Sequence, residues 1–366
     1  MLDRLRSRHA GALPLRCRLL PLERSAHRAE ERCVAHRSSP TPGAAAPLDP
    51  VRAADLAGRL RTNVERALRG KSDVVRQCVE AWVAGGHVLI EDVPGVGKTT
   101  LAHALARSVD TSFRRIQFTS DLLPADLVGA SVPEMREGRA TGAFAFQHGP
   151  LFAQVVLADE INRASPKTQS ALLEAMAEGS VSVDGVMHRL PQPFLVVATQ
   201  NPIEHHGTHP LPESQLDRFL LRLRIGYPDA ADEAAVLRDD PAATELPRLA
   251  AVLRADELVA MRVAAERVKF DDGLVAYLLA IVRATREHPS ISLGASPRGA
   301  VALRRVAQAR ALVDGRDYCI PEDVRDLAVP VLAHRVVLDP REVGGPASEE
   351  AEWVIREILD RAAVPL

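Results

Sequence analysis

The stretch VLIEDVPGVGKTTLAHALA, Val88 to Ala106, decides how this 366-residue chain reads. A short apolar run gives way to a turn punctuated by Pro and Gly, and Lys-Thr-Thr then opens an apolar-periodic helix. A polyphosphate requires that order, because backbone N–H groups of a glycine-bearing turn and the positive end of a helix must point at one anion. In the turn Asp92-Val93-Pro94-Gly95-Val96-Gly97, followed by Lys98-Thr99-Thr100, the two glycines let the backbone come close. Lys98 can reach the β- and γ-phosphates, and the Thr99 hydroxyl can sit on Mg²⁺. ATP and Mg²⁺ are therefore the expected cofactors. One position departs from the G-x-x-x-x-G-K-[ST] pattern: Asp92 stands where the first glycine would be. A carboxylate beside a polyphosphate is unfavourable unless its side chain points away.

Working outward, residues 51–70 and 72–84 read as helices. Leu56, Leu60, Val64 and Leu68 share one face of the first, and Val74, Val75, Val79 and Trp82 turn inward on the second. Downstream, Phe113–Phe118 reads as a strand, residues 121–150 as an irregular segment, and Leu151–Ala158 as a strand buried on both faces. A helix runs from Pro166 to Glu178, and SVSVDGVMHRL (residues 180–190) reads as a hairpin turning at Asp184-Gly185. Phe194–Ala198 is a further buried strand, a short helix starts at Gln215, and Leu221–Ile225 leads out as a strand. Strands alternating with helices through residues 88–226 argue for a parallel α/β sheet. Beyond Tyr227-Pro228 the pattern becomes helical with no strand signal, over about 255–267, 272–287, 298–313, 321–334 and 348–361.

The acidic pair Asp159-Glu160 closes the Leu151–Ala158 run. At a strand's C-terminal end beside a phosphate loop, one carboxylate can hold Mg²⁺ and the next can activate water; away from such a loop the pair would be an ordinary solvated strand end. Asn201 follows the next strand, where it can bond the attacking water or the γ-phosphate, although Asn-Pro alone is a turn signal. Arg218 lies on the short helix beyond. It reads either as a finger facing a neighbouring subunit's nucleotide or as a surface arginine paired with Asp217.

Taken together, GGHVLIEDVPGVGKT, LFAQVVLADEINRASPKTQSALLEAMAE, ATQNPIE, LPESQLDRF, IVRATREHP, LGASPRGAVAL and GRDYCIPEDV resemble the MoxR family of AAA+ ATPases, from about residue 51 to the C-terminus. The resemblance implies an α/β fold, a P-loop AAA+ core with a parallel sheet (49–226), followed by an all-α lid domain (227–366). It implies Lys98 and Thr99 as Walker A, Asp159 and Glu160 as Walker B, Asn201 as sensor 1, Arg218 as the finger and Arg298 as the lid's sensor-2 arginine. A loop insert at 121–150 and the 180–190 hairpin would face the pore of a homo-oligomeric, hexameric ring. The implied activity is Mg²⁺-dependent ATP hydrolysis that remodels a partner complex during maturation or cofactor insertion, with a separate von Willebrand A domain protein as adaptor.

Composition narrows the alternatives. A formal net charge of −2 gives no overall basic field for nucleic acid or an anionic membrane. A nucleic-acid motor or transcription activator shares the ATPase core, but TGAFAF (residues 141–146) has the wrong order for an activator loop and no helix-turn-helix is evident. A weakly hydrolysing, nucleotide-gated module is the other alternative, kept open by Asp92. Only four of the 46 basic residues are lysine, the mark of a GC-rich genome. Four scattered cysteines without C-x-x-C spacing argue for a reducing compartment, and with no membrane span or signal peptide the cytoplasm is expected. Residues 1–48, with nine arginines before Ser38, read as a disordered leader and Pro/Ala linker. Cys17, His27, Cys33 and His36 form no regular zinc set. Glu204, His205, His206 and His209 resemble a metal-ligand cluster or a pH-responsive loop by residue type, but lack helical spacing.

Overall fold

A computed structural model of the chain describes residues 48–136, 139–202, 207–341 and 347–364. The leader, with Cys17, His27, Cys33 and His36, lies outside them, as do Glu204, His205 and His206. Two helices come first, α1 (Pro50–Glu65) and α2 (Ser72–Val83). Every apolar residue expected on their inner faces is buried, Trp82 completely. β1 (Val88–Glu91) leads through the phosphate loop into α3 (Lys98–Ser108), and β2 (Phe113–Gln117) follows. After α4 (Pro124–Val128), β3 (Gly129–Arg136) and β4 (Arg139–His148) form an antiparallel hairpin.

β5 (Val155–Asp159), α5 (Pro166–Glu178), the hairpin β6 (Ser180–Val183) and β7 (Val186–Arg189), and β8 (Leu195–Gln200) complete the middle of the core. The short helix α6 (Glu213–Leu216) and β9 (Leu221–Leu223) end it. The main sheet has the order β2-β5-β8-β1-β9 and is parallel throughout. β8 is central; β1 lies between it and the β9 edge, with its own sequence successor, β2, at the far edge. The strand order therefore reverses beside β1, where ligands bind at the carboxyl ends of strands in such sheets. β5 and most of β8 are buried, and burying each Leu, Ile or Val there stabilises by about 1.5–3 kcal/mol. The sheet's edges are poor: β9 has three residues, and β2 carries Arg114 and Arg115.

Then come α7 (Ala230–Asp239), α8 (Pro241–Thr244), α9 (Ala255–Ala265), α10 (Asp272–Glu287), β10 (Ile291–Leu293), α11 (Pro297–Val313), α12 (Pro321–Leu332), β11 (Val337–Leu338) and α13 (Ala347–Arg361).

Some expectations need correction. Residues 121–150 are not irregular. Their hairpin escapes notice because its faces are largely exposed, Phe144 at 68%, so no buried stripe sets a period, and Pro133 interrupts it at a register shift. The run from Leu151 is a turn until Val155, its amides taken by Leu127 and Gly149 carbonyls. The helical region does contain strands, since β10 pairs antiparallel with β11. α7 and α8 were not anticipated; α7 buries no residue completely and leaves no amphipathic signature.

The two core hairpins meet through stacked rings. Phe146 of β4 lies face to face with His188 of β7, ring centroids 4.0 Å apart, and His148 stacks on Phe152 at 4.2 Å. Between β6 and β7, Asp184 and Gly185 both have positive φ, as the Asp-Gly turn requires.

Candidate functional site

The phosphate loop is shaped by its backbone. Gly95 and Gly97 have φ of 87° and 98°, and a Cβ on Gly97 would lie 2.6 Å from a Leu68 methyl. Only glycine suits such positions, and α3 opens directly at Lys98 with its first amides aimed into the loop. The Lys98 ammonium donates to the Asp92 carbonyl at 2.6 Å. The Asp92 carboxylate points away from the loop's mouth, its oxygens taking the amides of Val93 (2.8 Å) and Gly226 (2.6 Å). The expected conflict between this acid and a polyphosphate is thereby avoided.

A cleft of about 340 Å³ gathers Pro94, Gly95, Gly97, Lys98, Thr99 and Thr100 with Asp159, Glu160 and Asn201. Asp92, Val93 and Val96 lie outside its lining. The carboxyl ends of β1, β5 and β8 deliver these groups together, which is why residues far apart in sequence converge. Four further polar residues bond the acidic pair with no sequence signal. Thr199 donates to Asp159 Oδ1 (2.6 Å) and accepts the Glu160 amide (2.9 Å). Arg115 grips Asp159 Oδ2 through Nη2 and Nε (2.6 and 3.1 Å). Gln117 donates to Glu160 Oε2 at 2.8 Å, and Arg163 to the same oxygen at 3.0 Å. Arg115 and Gln117 are two apart on β2 and so share a face, but on an edge strand they read as solvent-facing. Glu160 has a φ of 57°, a left-handed conformation uncommon for a side-chain-bearing residue and costing about 1–3 kcal/mol.

Beside the cleft, and sharing Gly95, Gly97 and Thr100 with it, is an apolar hollow of about 330 Å³. Leu68, Val96, Tyr227, Pro228, Val236 and Leu237 line it, with Tyr227 and Leu237 74% and 82% exposed. Sequence reading missed it because its walls come from four separate segments.

Arg218 and Arg298 do not line the phosphate cleft. They lie together in a second cavity of about 320 Å³ that has no lining residue in common with it, alongside Arg305, Arg335, His87 and Asp217. Arg298, which the resemblance implies as the lid's sensor-2 arginine, thus lies beside Arg218. The reason is a tether: Ser296, which caps α11 by accepting the Gly299 amide, lies 3.4 Å from Asp217. Arg335, unanticipated from sequence, makes the stronger link. Its guanidinium bonds Asp217 Oδ1 (2.6 Å) and the carbonyls of Phe219 (2.6 Å) and Leu220 (3.2 Å), and also that of Val331. Burial pulls its pKa down, opposed by Asp217. Arg218 itself donates to the Leu173 carbonyl at 2.6 Å. His87 accepts the Val196 amide at Nδ1 (3.0 Å), so its Nε2–H donates to the Met176 carbonyl (3.1 Å). Burial pushes its pKa down to about 4, leaving it neutral.

The His209 backbone is engaged by Asn162 and Gln169, and among the described residues no three metal-capable side chains cluster. No helix among them is long and apolar enough to cross a membrane.

Comparison with known proteins agrees with this fold. Residues 87–221 match the ATPase family associated with various cellular activities (AAA), and residues 283–358 match the AAA lid domain. The chain is 47% identical over 311 residues to an uncharacterized protein, YeaC, of Bacillus subtilis (85% of this chain, 95% of that one). It is 40% identical to the chaperone MoxR1 of Mycobacterium tuberculosis (82% and 80%). A crystal structure of a proposed ATPase from Cytophaga hutchinsonii superposes with a TM-score of 0.77 at 34% identity, covering 86% of this chain and 96% of that one.

Proposed function

The chain belongs to the MoxR family of AAA+ ATPases, and from that premise we propose that it works as a chaperone-like remodeller whose ATPase sites are shared between subunits of a ring. It is a nucleotide-binding ATP hydrolase by family; the assignment of roles within it is our reading. Lys98 and Thr99 take the phosphates, Glu160 activates the water, and Asn201 orients it. Asp159 and Thr99 would hold Mg²⁺, which would neutralise charge on the phosphates. The donor set suits such a cation, since the Asp159 carboxylate and the Thr99 hydroxyl are hard oxygen donors lining one cleft. The base would occupy the apolar hollow beside the loop.

One observation carries the shared-site reading: Arg218 from the core and Arg298 from the lid line one cavity that is separate from their own phosphate cleft. Two guanidiniums converging where the chain has no phosphate site of its own suit the nucleotide of a neighbour packed head-to-tail, and repetition closes a ring, in this reading a hexamer. The 227–366 segment then acts as a lid hinged near Gly226. Family likeness supports work on a partner complex in maturation or cofactor insertion, through a von Willebrand A domain adaptor. The buried, unpaired Cys78 and Cys319 suit a reducing compartment such as the cytoplasm.

The test is ATPase rate against protein concentration with Mg²⁺, for the wild type and for mixtures of Arg218→Ala with Glu160→Gln chains. Specific activity should rise with concentration, and the two variants should partly rescue each other. Flat activity with an unaffected Arg218→Ala would leave a monomeric, nucleotide-gated ATPase as the better reading.

A further inference from the structure

Asp92 is where the loop departs from the usual phosphate-binding pattern, and its side chain takes the adjacent Val93 amide with one oxygen and reaches out of the loop with the other. The residue is 8% exposed. Its Oδ2 takes the Gly226 amide at 2.6 Å, just past the point where the β1–β9 ladder ends at Ile90 and Leu223. The carboxylate thus continues the pairing that the backbone has given up. Gly226 turns with a φ of 66°, and Tyr227 and Pro228 follow it into the wall of the apolar hollow. The Tyr227 carbonyl accepts from Lys71 at 2.7 Å. The strap 226–228 is therefore pinned at two successive residues, from the phosphate loop by Asp92 and from the start of α2 by Lys71. Asp92 also presents its own carbonyl to Lys98. Phosphate lysine and base-side strap consequently hang from a single residue.

We propose that Asp92 is a positioning residue for the nucleobase: its carboxylate fixes the Gly226–Pro228 strap against the phosphate loop, so that base and phosphates are gripped in register. The proposal rests on the assignment of the apolar hollow to the base. A glycine at this position, as in the generic pattern, would leave the Gly226 amide without that acceptor and the strap held by Lys71 alone. The acid is a structural requirement of this loop, not a tolerated intruder.

Two probes separate the contributions, Mg²⁺-ATP and Mg²⁺-tripolyphosphate, the second having phosphates and no base. Binding of each is measured on the full chain for the wild type, Asp92→Gly, Asp92→Asn and Leu237→Asp. Asp92→Gly, although it restores the pattern's glycine, should weaken ATP by about tenfold while tripolyphosphate changes by less than about twofold. The isosteric Asp92→Asn, losing the charge but keeping one acceptor, should fall between, and it carries the test if the glycine variant does not fold. Unchanged ATP affinity in the Asp92 variants, or an equal loss for both probes, overturns the proposal. Leu237→Asp puts a charge in the hollow without touching Asp92. If it leaves ATP binding intact, the base assignment itself falls; if it weakens ATP while the Asp92 variants do not, only the role of Asp92 falls.

Discussion

In the phosphate cleft the binding groups are set by backbone: two glycines at positive φ, a helix opening at Lys98, and three strands delivering their carboxyl ends to one place. In the arginine cavity they are set by side chains reaching between core and lid, with Arg335 and Ser296 meeting Asp217. The first kind of site is built from the loop's own backbone and the ends of neighbouring strands of one sheet. The second exists only while two parts of the chain stay docked, and it shares no lining residue with the phosphate cleft. Variants in the two regions should therefore fail in different ways.

The largest expected contrast is between Lys98→Ala and Arg218→Ala. Loss of Lys98 should remove ATP binding and turnover together. Loss of Arg218 should lower kcat by about 10³–10⁵-fold while equilibrium ATP binding by the isolated chain stays within about twofold. Equal loss of binding in both would put Arg218 in the same site as Lys98 and dissolve the distinction.

Next comes Arg335→Met, which takes a buried guanidinium from Asp217 and from several carbonyls at once. Breaking such a buried pair costs about 3–5 kcal/mol, read from urea unfolding, and turnover should fall with it. Arg335→Lys should recover part of the stability but not the forked contact, and so less of the turnover. If Arg335→Met left both unchanged, the docking of the lid on the 217–220 segment would not be what holds the cavity.

The smallest effect expected is a pH dependence from His87. Its folded pKa is depressed to about 4, against 6.5 for an unperturbed ring, so between those values the unfolded chain takes up a proton that the folded chain refuses. The stability this contributes is complete above about pH 6.5 and is lost as pH falls toward 4, by roughly 3 kcal/mol. Urea midpoints measured down this range should decline less steeply for His87→Gln than for the wild type. Parallel declines would show that the ring is not what makes this region acid-sensitive.

The same contrast explains what sequence could and could not reveal. The loop, the Asp-Gly hairpin, and the helix running from the Ser165 cap to the left-handed Gly179 are local grammar, with each signal within a few residues of what it specifies. Asp159, Glu160 and Asn201 were legible because buried strands announce their own ends. Thr199, Arg115, Gln117 and Arg335 were not, because each is defined by a partner that only the folded sheet or the docked lid brings near. The apolar hollow was hidden for the same reason. The β3–β4 hairpin was missed on different grounds: an extended ribbon with exposed faces has no alternation to betray it.

The sheet's poor edges bear on how the molecule keeps its company. An open strand is a template that any other extended chain can lengthen. Here the three-residue β9 offers only a short row of amides, and Arg114 sets a charge on β2. Growth of the main sheet by strand addition is discouraged at both ends, so contacts made through side chains meet little competition there.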